Sequence, residues 1–517
     1  MTGNTPLRLS RKTERLIAGS GHPHTHMLAD VLEINLPKPG GQPGPGKHST
    51  PLRTRKHRTH MKTIGSIFLA ACLGALTASA QYKSINPQVS KIVSEVSEER
   101  ITATLKKLEG FGTRNLRSSQ DDPNRGIGAA RKWIYEQFQS YSSRLSVTYD
   151  HYRVRKDSSP ASRIPQDVDL YNVVAILPGT VSKAQQILIS AHYDSVNRTG
   201  TPPGLPGNPP SPVRDPNINA PGVTDDGSGV ACVMELARVM SQYQFEKTLV
   251  FIAFAGEEDG EVGSTLYADK AKSLDQKIEA VLNNDIIGSD VGGNGRTENR
   301  RVNVFSEDPM DSPSREIARY VREIGERYVP SMTVAPIFRA DRFGRDGDQR
   351  SFNLQGFAAV RFSTPVENFA NEHSATDTFD GTSPRFITRV TQVNGAVAAS
   401  LAWAPKSPET SELLEHNEQK MNTLLLTRGK SGYDALLKWK HPNPEPDLAG
   451  YAVLMRKTTA PFWEHEVYAG NVNEYVMPDV SIDEYVFGVA AVDKDGNESL
   501  VTPYVPTPHA RPKIATY

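Results

Sequence analysis

From about residue 90 to 405 the apolar positions follow two alternating rhythms. Residues 172–177, 186–191, 248–254 and 280–283 are short, nearly continuous apolar runs, the pattern of strands buried on both faces. In 230–243, Val230, Val233, Met234 and Ala237 recur at helical spacing, and 129–141, 314–328 and 387–403 read as further helices. Strands alternating with helices predict an α/β fold, a mainly parallel sheet covered on both sides by helices. Residues 201–221 carry eight prolines and read as an irregular surface insertion.

The last hundred or so residues change rhythm. Residues 436–439, 451–455, 474–477 and 485–492 alternate like half-buried strands, and 493–497 is a turn. This predicts a small C-terminal β-sandwich. With Trp439 on an early strand, Tyr485 on a late one and the hairpin Asp495-Gly496-Asn497-Glu498-Ser499 after it, the segment resembles a fibronectin type III module. The turn is not an EF-hand, because its glycine comes too early.

The N-terminal segment differs from both. Residues 1–60 hold ten Lys/Arg against three Asp/Glu, with six of the thirteen histidines, and read as unfolded or as an upstream extension outside the true start. Met61-Lys62, the apolar run 64–76 and Ala78-Ser79-Ala80 then form a secretory signal, too short to span a bilayer. Leu69-Ala70-Ala71-Cys72 resembles a lipoprotein cleavage box, but the apolar run continues past Cys72, which argues against lipidation. The expected organisation is 1–60 extension, 61–80 signal peptide, 81–405 catalytic domain, 406–425 linker, 426–508 sandwich and 509–517 tail, in a secreted or periplasmic protein without a transmembrane anchor.

Composition narrows the chemistry. Lys+Arg and Asp+Glu both number 59, so net charge gives no reason to expect nucleic acid as a partner. Of two cysteines, Cys72 falls in the signal, leaving Cys232 as a packed core residue on a helix. A cysteine-based zinc site is thereby excluded, and any metal must be held by His, Asp and Glu.

Such residues stand where the strands end. His192 and Asp194 follow 186–191; Asp225 and Asp226 precede Gly227-Ser228-Gly229 and a helix; Glu257 and Glu258 follow 248–254; Asp285 closes 280–284. His373 lies in Asn371-Glu372-His373-Ser374-Ala375-Thr376-Asp377-Thr378. In open α/β sheets ligands bind beyond the carboxyl ends of strands. Any one of these residues alone is a polar loop residue. Together they would repel and raise one another's pKa unless a cation joined them.

The order His-x-Asp, Asp-x-Gly-Ser-Gly, Gly-Glu-Glu-x-Gly, Asn-Asp and His-x-x-Thr-Asp-Thr is similar to that of the clan MH zinc aminopeptidases, which include aminopeptidase Y and secreted bacterial leucyl aminopeptidases. The resemblance covers about residues 90–405 and implies two zinc ions. It implies that His192 and Asp285 bind one zinc, Glu258 and His373 the other, and that Asp225 bridges them with a cis peptide to Asp226. Glu257 is then the general base. Two zinc ions about 3.5–4 Å apart can share one water and bring it toward hydroxide. Asp194 is expected to fix the tautomer of His192, and Asp377 to support His373. The implied substrate is a peptide with a free amino terminus.

Two departures bear on the substrate pocket. Where relatives have Ser-Asp-His, this chain has Gly347-Asp348-Gln349; Asp348 aligns with the family aspartate and the histidine is missing. Where some relatives place an oxyanion-steadying Tyr, this chain has Glu372. Competing readings are a carboxypeptidase, for which Arg342, Arg345 and Arg350 lie near the substrate loop; a one-zinc glutaminyl cyclase; and a non-catalytic ectodomain. The C-terminal module is expected to bind a surface polymer or protein.

Overall fold

In the computed structural model, residues 85–156, 164–199, 215–343, 345–416, 419–442 and 444–505 are described. The extension, the signal, Cys72, the C-terminal tail and most of the proline-rich insertion lie outside them.

An eight-stranded sheet runs in the order β1-β2-β4-β3-β5-β8-β6-β7. Its strands are β1 (Ser146–Val154), β2 (Val168–Leu177), β3 (Ser182–His192), β4 (Lys247–Phe254), β5 (Lys277–Asn284), β6 (Arg301–Ser306), β7 (Thr333–Ile337) and β8 (Ala359–Ser363). The central strands β4, β3, β5 and β8 are mutually parallel, so their carboxyl ends share one edge. β2 joins β4, and β6 joins β8, antiparallel. The sheet is therefore mixed at its flanks and parallel where the candidate ligands leave it.

Helices α1 (Pro87–Ser94), α2 (Glu98–Glu109), α3 (Ile127–Tyr141), α4 (Ser228–Met240), α5 (Val262–Ser273), α6 (Pro313–Tyr328), α7 (Gln349–Leu354) and α8 (Pro384–Trp403) cover it. Asn86, Ser97 and Ser312 cap the starts of α1, α2 and α6 by accepting backbone N–H bonds. The central α4 is buried on almost every position, as expected of a helix sandwiched between sheet and outer helices. Cys232 is a fully buried, unpaired thiol in its core.

The C-terminal part is built from β9 (Ser411–His416), β10 (Gln419–Leu424), β11 (Leu426–Arg428), β12 (Ala435–Lys438), β13 (Leu448–Lys457), β14 (His465–Gly470), β15 (Glu474–Met477), β16 (Tyr485–Asp493) and β17 (Thr502–Pro503). Its larger sheets, β11-β12-β15 and β14-β13-β16-β17, are antiparallel and enclose Leu437, Trp439, Tyr451, Val453, Phe487 and Val489. The expected linker, 406–425, contains the β9–β10 hairpin.

This module is fastened to α6. Ile317, Val321 and Ile324 face the main core, while the polar side of the helix is covered by the module. Trp463 Nε1 donates to Glu316 Oε2 at 3.1 Å, Arg319 Nε to the Pro461 carbonyl at 2.7 Å, and Arg327 pairs with Glu498 at 2.9 Å. Arg456, fully buried, pairs with Asp311. Among the described residues no helix is long and apolar enough to cross a membrane.

Candidate metal centre

The parallel strands and the loops after them bring the five expected ligands and the expected base to one edge. His192 is the last residue of β3, and Asp285 follows β5 directly. Asp225 and Asp226 form the turn before α4, Glu257 and Glu258 the loop after β4, and His373 the long loop after β8. His192, Glu257 and Asp285 place ligand atoms within 4.8 Å of one another, and so do Asp225, Glu258 and His373.

Asp225 joins the two groups. Its Oδ1 lies 3.2 Å from His192 Nε2 and its Oδ2 2.9 Å from His373 Nε2. His192 Nε2 is 3.6 Å from Asp285 Oδ1, and His373 Nε2 is 3.2 Å from Glu258 Oε1. The side chains of His373 and Glu257 are 30% and 14% exposed against 5% or less for the other four, so the cleft opens on the side of that histidine and the expected base. The peptide from Asp225 to Asp226 is cis.

The donor set fits zinc. It is imidazole and carboxylate, and His192 Nε2 is buried without a hydrogen bond while facing three carboxylates. Without a cation the charges are badly balanced. Burial raises Glu257 far above the usual carboxylate range, and neighbouring Asp285 and Glu258 add to that against the pull of His192. Burial alone would lower His192, but Glu257, Asp194, Asp225 and Asp285 outweigh it and hold the imidazole well above its ordinary value. Asp285 is also buried, yet Arg361 and His192 draw it down to about 2.

One supporting role is wider than expected and one differs. His192 Nδ1 faces Asp194, 3.2 Å from its backbone carbonyl and 3.6 Å from its carboxylate. That carboxylate also accepts the N–H groups of Glu257 and Glu258, at 3.3 and 3.2 Å, and so shapes their turn. Asp377 does not support His373. It accepts Thr224 N at 2.9 Å, Thr224 Oγ1 and Asp225 N at 3.0 Å, fixing the backbone ahead of the bridging aspartate. Both turns expose N–H groups that no strand can satisfy, and the carboxylates go where those donors are.

Asp226 points away from the cleft. Its oxygens accept His192 N at 3.3 Å, Gly229 N at 2.9 Å and Ile286 N at 3.3 Å, tying three ligand-bearing segments together. Gly229 has no room for a side chain: a Cβ there would meet both Asn284 O and Asp226 Oδ2 at 2.4 Å. Asp348 is buried beside the first group, and burial pushes it up to about 7. Glu372, also pushed to about 7 by burial, pairs with Arg345 at 3.0 Å.

Three arginines escaped the sequence reading. Arg361, fully buried on β8, pairs with Asp285 and Asp341, each at 3.0 Å. Arg114, also fully buried, donates to the carbonyls of Tyr193 at 2.6 Å, Gly222 at 2.7 Å and Pro221, pinning the loop after β3 to the one before α4. Arg198 does the same for the second group: its Nη2 donates to Glu258 O at 2.6 Å and its backbone N to His373 O at 2.7 Å. A charged residue inside a buried strand was the available signal for Arg361; the loop arginines left none.

A sheet edge that gathers imidazoles and carboxylates around an interior short of cations is the architecture of a metallohydrolase, and comparison with known proteins gives the family. Residues 172–398 match peptidase family M28. A probable zinc metalloprotease of Pyricularia oryzae is 37% identical over 459 residues, covering 82% of this chain and 85% of that protein. One of Pyrenophora teres f. teres is 34% identical, covering 80% and 86%. The LapA aminopeptidase structure from Legionella pneumophila aligns with a TM-score of 0.46 at 21% identity, over 62% of this chain and 76% of that one. The chain belongs to peptidase family M28, and it is a zinc metallopeptidase.

Proposed function

We propose that the protein is a secreted aminopeptidase with two zinc ions per catalytic domain, acting on peptides with a free amino terminus. The observation that carries the two-ion reading is the position of Asp225, whose two oxygens face different imidazoles. His192 and Asp285 would hold one ion, Glu258 and His373 the other, with Asp225 between them. Bound zinc supplies an acidified water and polarises the scissile carbonyl. Glu257, on the open side of the cleft, takes a proton from the attacking water and delivers it to the departing amine. Asp194 and Asp226 hold the turns that present Glu257, Glu258 and His192.

The charge pattern favours an aminopeptidase over a carboxypeptidase. Arg342 and Arg345 both pair with Glu367, Arg345 also with Glu372, and Arg350 with Glu261 and Asp346. Cations already matched by carboxylates make a poor trap for a terminal carboxylate. The presence of both candidate groups favours two metals over the single zinc of a glutaminyl cyclase. Secretion rests on the signal at 61–80, and the C-terminal module is assigned to binding a surface polymer or protein.

The test is hydrolysis of aminoacyl-nitroanilides beside the same compounds with blocked amines, with metal content measured in parallel. Zinc-dependent cleavage confined to free amines supports the reading. Two bound metals with no cleavage of any free-amine substrate would overturn it.

A further inference from the structure

The position where some relatives are expected to carry an oxyanion-steadying tyrosine holds Glu372. What Glu372 does in this fold is hold a cation. Its Oε2 lies 3.0 Å from Arg345 Nη2, and Arg345 Nη1 donates to Glu367 Oε2 at 2.8 Å. Arg342 Nη1 meets the same Glu367 oxygen at 3.0 Å. The carboxylates are buried, with side chains 6% and 9% exposed, whereas Arg345 is 28% exposed. The acids are thus more deeply buried than the guanidinium, part of which is open to solvent. Glu372 immediately precedes His373, which sets this clamp beside the second candidate metal group.

We propose that Arg345 is the oxyanion-binding residue of this site, with Glu372 and Glu367 as its positioning residues. The proposal rests on the peptidase reading above and names a catalytic group within it. As water adds to the scissile carbonyl, the π electrons move onto the carbonyl oxygen; they return when the carbon–nitrogen bond breaks and the amine leaves with its proton. A donor serves that transient charge best when it is oriented beforehand. Arg345 is oriented by two buried carboxylates that occupy two of its five N–H groups. Arg342 also pairs with Asp341, so the two arginines meet three carboxylates and the cluster carries no net positive charge. It therefore offers directed N–H groups without the net positive charge that would capture a substrate's terminal carboxylate.

The experiment compares Arg345→Met, Arg345→Lys and Glu372→Gln with the wild type in the full chain. Each is checked for bound zinc and melting temperature. For Arg345→Met, kcat is expected to fall about 10²-fold, with KM changed less than about 3-fold. Affinity for a peptide phosphonate, measured by calorimetry, should fall in step with kcat, while affinity for an amino-acid amide is retained. Arg345→Lys keeps the charge and guards against misfolding; it should lie between wild type and Met because it lacks the forked geometry. Glu372→Gln should lower kcat less than Arg345→Met does.

An unchanged kcat in both arginine variants, or equal losses for the phosphonate and the amide, would overturn the proposal. So would a loss confined to peptides with a free terminal carboxylate and absent from their amides, which would make Arg345 a carboxylate receptor. If the wild type hydrolyses no peptide, the underlying reading fails instead; an active wild type with equally active variants sinks only the role of Arg345.

Discussion

Two regions of this molecule bury carboxylates, and they treat them in opposite ways. At the carboxyl edge of the sheet, Asp225, Asp226, Glu257, Glu258 and Asp285 crowd together with two imidazoles and two arginines, Arg361 beside Asp285 and Arg198 beside Glu258. Where α6 meets the C-terminal module, Glu316 faces Arg319, Asp311 faces Arg456, and Glu498 faces Arg327. Each of these three acids faces a guanidinium, Arg327 being shared with Glu323, so these pairs are matched by residues the chain itself supplies. The sheet edge has a surplus of negative charge, which costs stability unless a cation is supplied. Burial of charge alone therefore does not mark a site; burial of charge that the chain leaves unbalanced does.

The largest effect should come from a change that leaves the balance of the metal centre intact and removes only its proton carrier. Glu257→Gln is expected to lower kcat about 10³–10⁴-fold with bound zinc unchanged. A loss of metal together with activity would move Glu257 from base to ligand. The next test is whether the surplus charge is there for zinc. Chelation should lower the melting temperature, and zinc at a thousandfold excess over its Kd should return about 4 kcal/mol. Asp225→Asn should abolish most of that return. If chelation leaves thermal stability unchanged, the centre is balanced without a metal and the contrast with the interface disappears.

The sequence reveals the first region better than the second, for a physical reason. Each expected ligand sits in a short motif at the end of an apolar run, so strand periodicity and residue type together locate it. The supporting shell was harder to read. Asp377 meets Thr224 across 153 positions, and the donors it satisfies exist only once the turn before α4 has formed. Arg361 looks like a stray polar residue in an apolar strand until Asp285 and Asp341 come to it. The polar face of α6 reads as solvated, because Arg315, Glu316 and Arg319 alternate with the core-facing Ile317, Val321 and Ile324 as they would on a surface helix. Only a second layer of protein buries them, and nothing in the helix itself announces that layer.

The interface should nonetheless register in stability. Burial pushes Glu316 from 4.5 up to about 7 despite Arg319 and Trp463. The folded state therefore keeps a proton that the unfolded chain has already released. This group's contribution is fully present below pH 4.5 and is lost as pH rises toward 7, by roughly 3 kcal/mol. Glu246, pushed to about 7 by burial and by Asp447, slopes the same way. Denaturant unfolding across that range in wild type and Glu316→Gln should show a flatter slope for the variant. Parallel slopes would mean that Arg319 keeps Glu316 ionised throughout.

The smallest expected effect separates a pair kept for stability from one merely tolerated. Arg456→Met leaves Asp311 without its guanidinium, but Asp311 is 22% exposed and water can partly replace the lost partner. The cost should be about 2 kcal/mol, below that of breaking a fully enclosed pair. Replacing both residues, Arg456→Met with Asp311→Leu, removes the stranded charge as well. Buried ion pairs often give way to apolar packing at little net cost, so the double variant should recover most of the loss. Catalysis should be unaffected in either, because the interface is balanced within itself. A double variant as unstable as the single one would show that the Arg456–Asp311 pair itself holds the module on α6.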